Sequence, residues 1–178
     1  MTDQSHKTAI SRRKLSLPMR YLDENDYFRH GAILDFGCGR GTDADILSKR
    51  FRRPLLVKRY DPHYFPKMPG KSFHMVTCHY VLNVVKQPGK VLKEAWKRVR
   101  RGGWIAVSVR GKIEVVREAT KAGWEKSGSG YVTGSGTYQR GFTMKQLVKL
   151  ARGLGGVQTI EEIRLPGSQA VMVVAYKA

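Results

Sequence analysis

Acidic residues are scarce. The 178 residues carry 14 Asp and Glu against 33 Lys and Arg, a net charge of +19. That excess goes beyond what solubility requires, and its field attracts polyanions and speeds their encounter. Nucleic acid, DNA or RNA, is the partner it predicts. Cysteine is scarcer still, at two residues, Cys38 and Cys78. This excludes a disulfide framework and fits a reducing, cytoplasmic location. No apolar run approaches the ~20 residues that cross a bilayer. Residues 1–15 are polar and basic where a signal peptide would be apolar, so no membrane partner is expected. Metal-ligand spacing is missing as well. His74 and Cys78 fall on one face of a strand and His79 on the other. That matches no compact zinc motif, and no metal is expected.

Hydrophobic residues make up 41% of the chain, enough for one core in one domain over residues 15–178, preceded by a basic arm at 1–14. A helix is predicted at 15–30, with Ser16 as cap, Pro18 in its first turn and Gly31 at its end. Further helices are predicted at 43–51, at 88–101 up to Gly102-Gly103, and at 143–153 behind a capping box of Thr143 and Gln146. Strands are predicted at 31–36, 55–60, 73–78, 104–109, 157–163 and 170–176. Residues 111–141 read as a long polar segment with a Gly/Ser-rich centre, an insertion on the substrate side. Alternating strands and helices imply a mostly parallel sheet covered on both faces. The last two strands are joined by residues 164–169, too few for a parallel crossover, so the final strand runs antiparallel. The fold class expected is α/β: a Rossmann-like open sheet of the class I S-adenosylmethionine (SAM) methyltransferase type.

The most informative segment is Leu34-Asp35-Phe36-Gly37-Cys38-Gly39-Arg40-Gly41. A strand delivers the chain to the sheet edge, and the glycines allow a tight turn that brings backbone amides against a ligand. The spacing is G-x-G-x-G, not the G-x-G-x-x-G of dinucleotide folds. A carboxylate before the glycines suits the ammonium and sulfonium of SAM. Asp61, followed by Pro62 at the end of the next strand, can accept hydrogen bonds from both ribose hydroxyls. SAM is thus the predicted cofactor, held by Asp35, Gly37, Cys38, Gly39, Gly41, Asp61 and Pro62. After the third strand, Cys78-His79-Tyr80-Val81-Leu82-Asn83 should face the methyl group.

Several segments resemble the DNA phosphorothioation-associated methyltransferase family: His6-Lys7-Thr8-Ala9-Ile10-Ser11, Leu15-Ser16-Leu17-Pro18, the glycine loop, Tyr60-Asp61-Pro62, Tyr80-Val81-Leu82-Asn83-Val84-Val85, Gly136-Thr137-Tyr138-Gln139-Arg140 and Phe142-Thr143. The resemblance implies the class I fold, SAM as cofactor and a link to DNA modification. Members of that family are longer, and their carboxyl-terminal part has no counterpart here. Asp and Glu are also missing between His63 and Val85, which leaves adenine recognition to backbone groups.

Methyl transfer is an in-line displacement, so the protein must chiefly align the nucleophile with the methyl group. His79, Tyr80 and Tyr138 are the candidates for the reacting centre. The Asn/Asp-Pro-Pro-aromatic motif of amino-directed DNA methyltransferases is missing. So is the Pro-Cys of cytosine C5 enzymes, which leaves Cys78 as a buried, inert thiol. Tyr131, Tyr138 and Arg140 could stack on an unpaired base. The arm could close over SAM or touch phosphate. The basic run Lys49-Arg50-Arg52-Arg53 and the basic face of the 88–101 helix could follow a backbone or simply face solvent. The predicted activity is SAM-dependent methyl transfer to nucleic acid. The alternatives are a small-molecule or protein acceptor, a non-catalytic SAM- or nucleic-acid-binding accessory protein, and an enzyme that degrades SAM.

Overall fold

The computed structural model describes residues 4–28, 31–50, 57–70 and 72–178. Six strands form one sheet in the order β2-β1-β3-β4-β9-β8. They are β1 (Ile33–Phe36), β2 (Val57–Tyr60), β3 (Phe73–His79), β4 (Val99–Val109), β8 (Val157–Arg164) and β9 (Val171–Lys177). β1 runs parallel to β2 and β3, and β3 parallel to β4. β9 lies between β4 and β8 and is antiparallel to both, as the short connection requires.

Side chains alternate across this sheet and divide the core in two. Leu34, Val76, Cys78, Ile105 and Val107 face one layer. That layer contains Leu92 and Trp96 of helix α3 (Pro88–Trp96) and Leu147 and Ala151 of helix α5 (Met144–Arg152). Ile33, Met75, Ala106 and Val174 face the other, where Met19 and Leu22 of α1 (Leu17–Glu24) and Leu47 of α2 (Thr42–Arg50) pack. The capping box of α5 forms as predicted: Gln146 N–H donates to Thr143 Oγ1 at 3.2 Å, and Thr143 N–H donates to Gln146 Oε1 at 3.0 Å.

Four elements depart from the sequence expectations. The helix from Pro88 stops at Trp96, not at residue 101. Val99 is apolar because it opens β4, where it pairs with Phe73. Gly102 and Gly103 end no helix. They lie inside β4, where Gly102 has φ of +66° and a Cβ on Gly103 would meet the His74 carbonyl oxygen at 2.8 Å. Residues 111–141 are mostly ordered structure: helix α4 (Lys112–Ala122) and a small antiparallel sheet of β5 (Glu125–Ser127), β6 (Gly130–Val132) and β7 (Tyr138–Gln139). Ser16 sits at the start of α1, but its hydroxyl makes no cap bond. The first helix ends at Glu24, not at Gly31: residues 25–28 are turn, where Asp26 takes a left-handed φ of +63° that no helix accommodates. The predicted ends at residues 51 and 55–56, and Arg52 and Arg53 of the basic run, lie outside the described residues.

Candidate functional site

The carboxyl ends of β1, β2, β3 and β4 meet at one edge, and the glycine loop sits at its centre. Gly37, Gly39 and Gly41 all adopt positive φ, at +78°, +54° and +79°. Only glycine adopts such angles without steric cost. Gly37 and Cys38 both donate their N–H to the Tyr60 carbonyl, at 2.7 and 3.1 Å, which ties the turn to the end of β2.

Asp61 follows directly and is buried. Its Oδ2 accepts from Gly39 N–H at 3.1 Å, and its Oδ1 accepts from the N–H groups of His63 at 2.9 Å and Tyr64 at 3.1 Å. The carboxylate therefore organises the loop as well as facing the crevice. A crevice of about 110 Å³ lies here, bounded by Gly37, Cys38, Gly39, Asp61, His79, Tyr80 and Val81.

The basic arm forms the opposite wall. Its single 3₁₀ turn, Ser5–Thr8, is held by His6, whose ring stacks on His63 at 4.0 Å, and by the Tyr64 hydroxyl, which donates to the His6 carbonyl at 3.3 Å. Ala9 packs over Gly39, where an added Cβ would lie 3.0 Å away. Arg12 and Ser16 complete this wall. With the arm docked, the crevice is smaller than the ~300–1,000 Å³ usual for ligand cavities.

A second cavity of about 570 Å³ adjoins the first and shares Arg12, Ser16, Tyr80 and Val84 with it. Its far side carries Asn83, Arg110, Glu114, Glu118 and Gln139. Arg110 is neutralised on the spot, bonding Glu114 at 2.7 Å and Glu118 at 2.6 Å across successive turns of α4. Tyr80 stands between the two cavities with φ of +59°, a strained angle for a non-glycine residue, and such strain concentrates at functional sites.

The titrating groups divide clearly. Burial, with a smaller push from Asp43, raises Asp35 to about 7, although the Thr77 hydroxyl at 3.2 Å partly offsets this. Burial lowers His79 to about 3, so its imidazole is neutral near pH 7. Its Nδ1 lies 3.0 Å from Ser108 Oγ, and its buried Nε2 has no partner among the described residues. The Ser16 hydroxyl, on the same crevice wall, is also buried without a partner. Burial raises both thiols, Cys38 and Cys78, above the usual range. Cys78 is fully buried in the core and does not line the crevice.

Of the residues selected from sequence, Gly37, Cys38, Gly39, Asp61, His79 and Tyr80 line the crevice. Asp35 lies behind its floor, bonded to Thr77. Gly41 packs instead against Arg59 and Phe65, and Pro62 is exposed outside the crevice. Tyr138 is not at the reacting centre. It is 4% exposed in the small sheet, with its hydroxyl 3.3 Å from Ser129 Oγ, and its neighbour Gln139 reaches the second cavity in its place. The sequence does not single out Arg12, Asn83 or Glu114, and it marks Ser16 only as a helix cap. For Ser16 and Asn83 a signal existed in the segments carrying the family resemblance. Glu114 and Glu118 show i,i+4 spacing that becomes visible only once α4 is known.

The donor set fits SAM. Glycine amides and an acid at the end of β2 face one crevice, and two unpartnered buried polar atoms sit in its walls. Among the described residues no group of His, Cys, Asp and Glu could hold a metal ion, and no helix is long and apolar enough to cross a membrane. A sheet of this order with this loop at its switch point defines a Rossmann-like, SAM-dependent methyltransferase. The chain belongs to the methyltransferase-domain family, whose model matches residues 7–154.

Solved structures agree in fold. A SAM-dependent methyltransferase from Thermotoga maritima is 19% identical, covering 91% of this chain and 99% of its own, with a TM-score of 0.56. The 1,6-didemethyltoxoflavin-N1-methyltransferase of Burkholderia thailandensis, with 1,6-didemethyltoxoflavin and S-adenosylhomocysteine bound, is 18% identical, covering 99% and 80%, with a TM-score of 0.57. A SAM-dependent methyltransferase from Clostridium acetobutylicum is 10% identical, covering 99% and 96%, with a TM-score of 0.61. A search of curated protein sequences finds no match.

Proposed function

We propose that this methyltransferase modifies nucleic acid in the cytoplasm, with the acceptor group entering through the second cavity. The observation that carries this reading is the uncompensated charge of +19, a magnitude that suits a polyanionic acceptor. The resemblance to DNA phosphorothioation-associated methyltransferases in the arm, the glycine loop and the Tyr80–Val85 and Gly136–Arg140 segments points the same way.

When bound, SAM supplies a methyl group on a sulfonium, already activated for transfer. The residues here bind and align. Asp61 would take the ribose hydroxyls while keeping its hold on the glycine loop. Ser16 Oγ and His79 Nε2 would gain the partners they lack. Because His79 remains uncharged near neutral pH, it orients through hydrogen bonds and does not store a proton. Burial also raises the Tyr80 hydroxyl, which keeps it protonated at the junction of the two cavities. On this reading the arm swings outward to admit the cofactor, because the docked crevice holds only about 110 Å³.

A small-molecule acceptor is the second reading. The second cavity, at about 570 Å³, falls in the size class of small-ligand sites, and the 1,6-didemethyltoxoflavin-N1-methyltransferase similar in fold holds such a molecule. Incubation with methyl-labelled SAM and separate pools of genomic DNA, bulk RNA, protein and small metabolites distinguishes the two. Label in a nucleic-acid pool is expected. Label only in protein or metabolites overturns the proposal.

A further inference from the structure

We infer that the groove between α3 and α5 holds the sugar-phosphate backbone of a single-stranded segment of the acceptor nucleic acid and leads it to the second cavity. The inference rests on the nucleic-acid reading above and assigns that partner a place on the surface. The groove has a volume of about 490 Å³. Its floor is apolar, with Phe142, Leu150 and Leu154, and its rim is cationic, with Lys93 from α3, Lys149 from α5 and Arg140 between them.

The rim charges are uncompensated. Lys93 and Lys149 are exposed, and neither has an acidic partner among the described residues. The two helices also carry Lys90, Lys145 and Arg152, against the single acid Glu94, whose carboxylate is taken by Lys97 at 2.6 Å. By contrast, the arginine of the second cavity, Arg110, is matched by two glutamates. An apolar floor between cationic rims matches a single strand, which offers base and sugar surface between phosphates. A duplex presents phosphates on its outside and little apolar surface.

The linings of the groove and of the second cavity meet at neighbouring residues. Arg140 lines the groove and its neighbour Gln139 lines the second cavity, so one peptide separates them. Arg140 N–H donates to the Asn83 carbonyl at 2.7 Å, and Asn83 Nδ2 donates to the Arg140 carbonyl at 2.5 Å. Asn83 itself lines the second cavity. On this proposal, a strand lying in the groove continues past the Gln139–Arg140 peptide toward the cavity that Tyr80 borders.

The test compares the double variant Lys93→Glu/Lys149→Glu with Lys58→Glu/Lys121→Glu, which changes the net charge equally at exposed sites outside the groove. The probe is a fluorescein-labelled, mixed-sequence DNA oligonucleotide, single-stranded or duplex, read by anisotropy across a salt series. The groove variant is expected to bind single strands at least tenfold more weakly. Its slope of log affinity against log salt should be shallower by about 1.4, or ~0.7 for each lost phosphate contact. Melting temperature and S-adenosylhomocysteine affinity should hold. Wild-type affinity and slope in the groove variant, or an equal loss in the control variant, overturns the groove assignment. If methyl label still reaches nucleic acid in that case, the acceptor reading survives. Groove-dependent binding without any labelled nucleic acid overturns the acceptor reading alone.

Discussion

Val81 closes on Gly37 so tightly that a Cβ added to the glycine would lie 2.3 Å from Val81 Cγ2. The segment after β3 thus seals the glycine loop from above, and the two halves of the cofactor crevice fix each other. Gly37 also has φ of +78°. Gly37→Ala therefore combines left-handed strain of roughly 1–2 kcal/mol with overpacking of roughly 1–3 kcal/mol. Urea unfolding should show a loss of about 2–5 kcal/mol, and calorimetry should show S-adenosylhomocysteine binding reduced at least tenfold. Wild-type values in both measurements would remove this glycine from the site.

Asp61 has two tasks, and substitution separates them. Asp61→Ala deletes the acceptor for Gly39, His63 and Tyr64 N–H groups as well as the proposed ribose contact. Cofactor affinity should fall at least tenfold, about 1.4 kcal/mol. Asp61→Asn keeps one acceptor oxygen for the loop, so it should recover most of the melting temperature and only part of the affinity. Equal recovery of both would mean that Asp61 serves the loop alone.

Two buried groups couple stability to pH in opposite directions. Asp35 keeps its proton up to about pH 7 in the native state, whereas the unfolded chain releases it near 3.8. Its stabilising contribution is therefore full below that lower value and is lost as pH rises toward 7. His79 stays neutral down to about pH 3, whereas the unfolded chain takes up a proton near 6.5. Its contribution is full above 6.5 and is lost as pH falls toward 3. Between roughly pH 4 and 6.5 the two oppose each other. Urea unfolding across that window should show Asp35→Asn losing stability on acidification more steeply than wild type, and His79→Gln less steeply. Parallel profiles for all three proteins would contradict the burial assigned to both groups.

Asn83 connects three strand-end segments through its own side chain and backbone. Its Oδ1 accepts from Arg110 N–H at 3.0 Å, and its Nδ2 donates to the Arg140 carbonyl at 2.5 Å. Asn83→Ala strands both backbone groups at a buried position, each worth about 1–3 kcal/mol. A loss of roughly 2–6 kcal/mol in urea is expected, together with slower methyl transfer as Gln139 and Arg140 lose their anchor. A loss under about 0.5 kcal/mol would show that the network is dispensable.

Much of the cofactor half was legible in the sequence because its determinants are local. An apolar strand, glycines at alternate positions and an acid after the next strand read directly as β1, the loop and Asp61. The antiparallel end of the sheet followed from the short 164–169 connection. Elements that depend on distant partners were harder to read. Val99 continues the helical spacing of Leu92 and Trp96, and only its pairing with Phe73 places it in β4. Helix α4 exposes Ile113 and Val116 and buries Val115 and Ala119, a pattern too mixed to reveal a helix. Tyr138 lies in a Gly/Ser-rich stretch that looks solvent-facing, yet the pairing of β6 with β7 turns it inward. Ser16 reads as a helix cap, but its hydroxyl stays unpaired in the wall of the crevice. Asp35 reads as a ligand contact, but it sits one layer deeper.

The most direct measurement is a crystal structure with S-adenosylhomocysteine. The ribose should lie against Asp61, and the sulfur should point past His79 and Tyr80 into the cavity bounded by Asn83 and Gln139, with the arm from His6 to Arg12 displaced from its position over Gly39. A ligand bound elsewhere, or a crevice still closed by Ala9 and His6 at saturating ligand, would contradict the account.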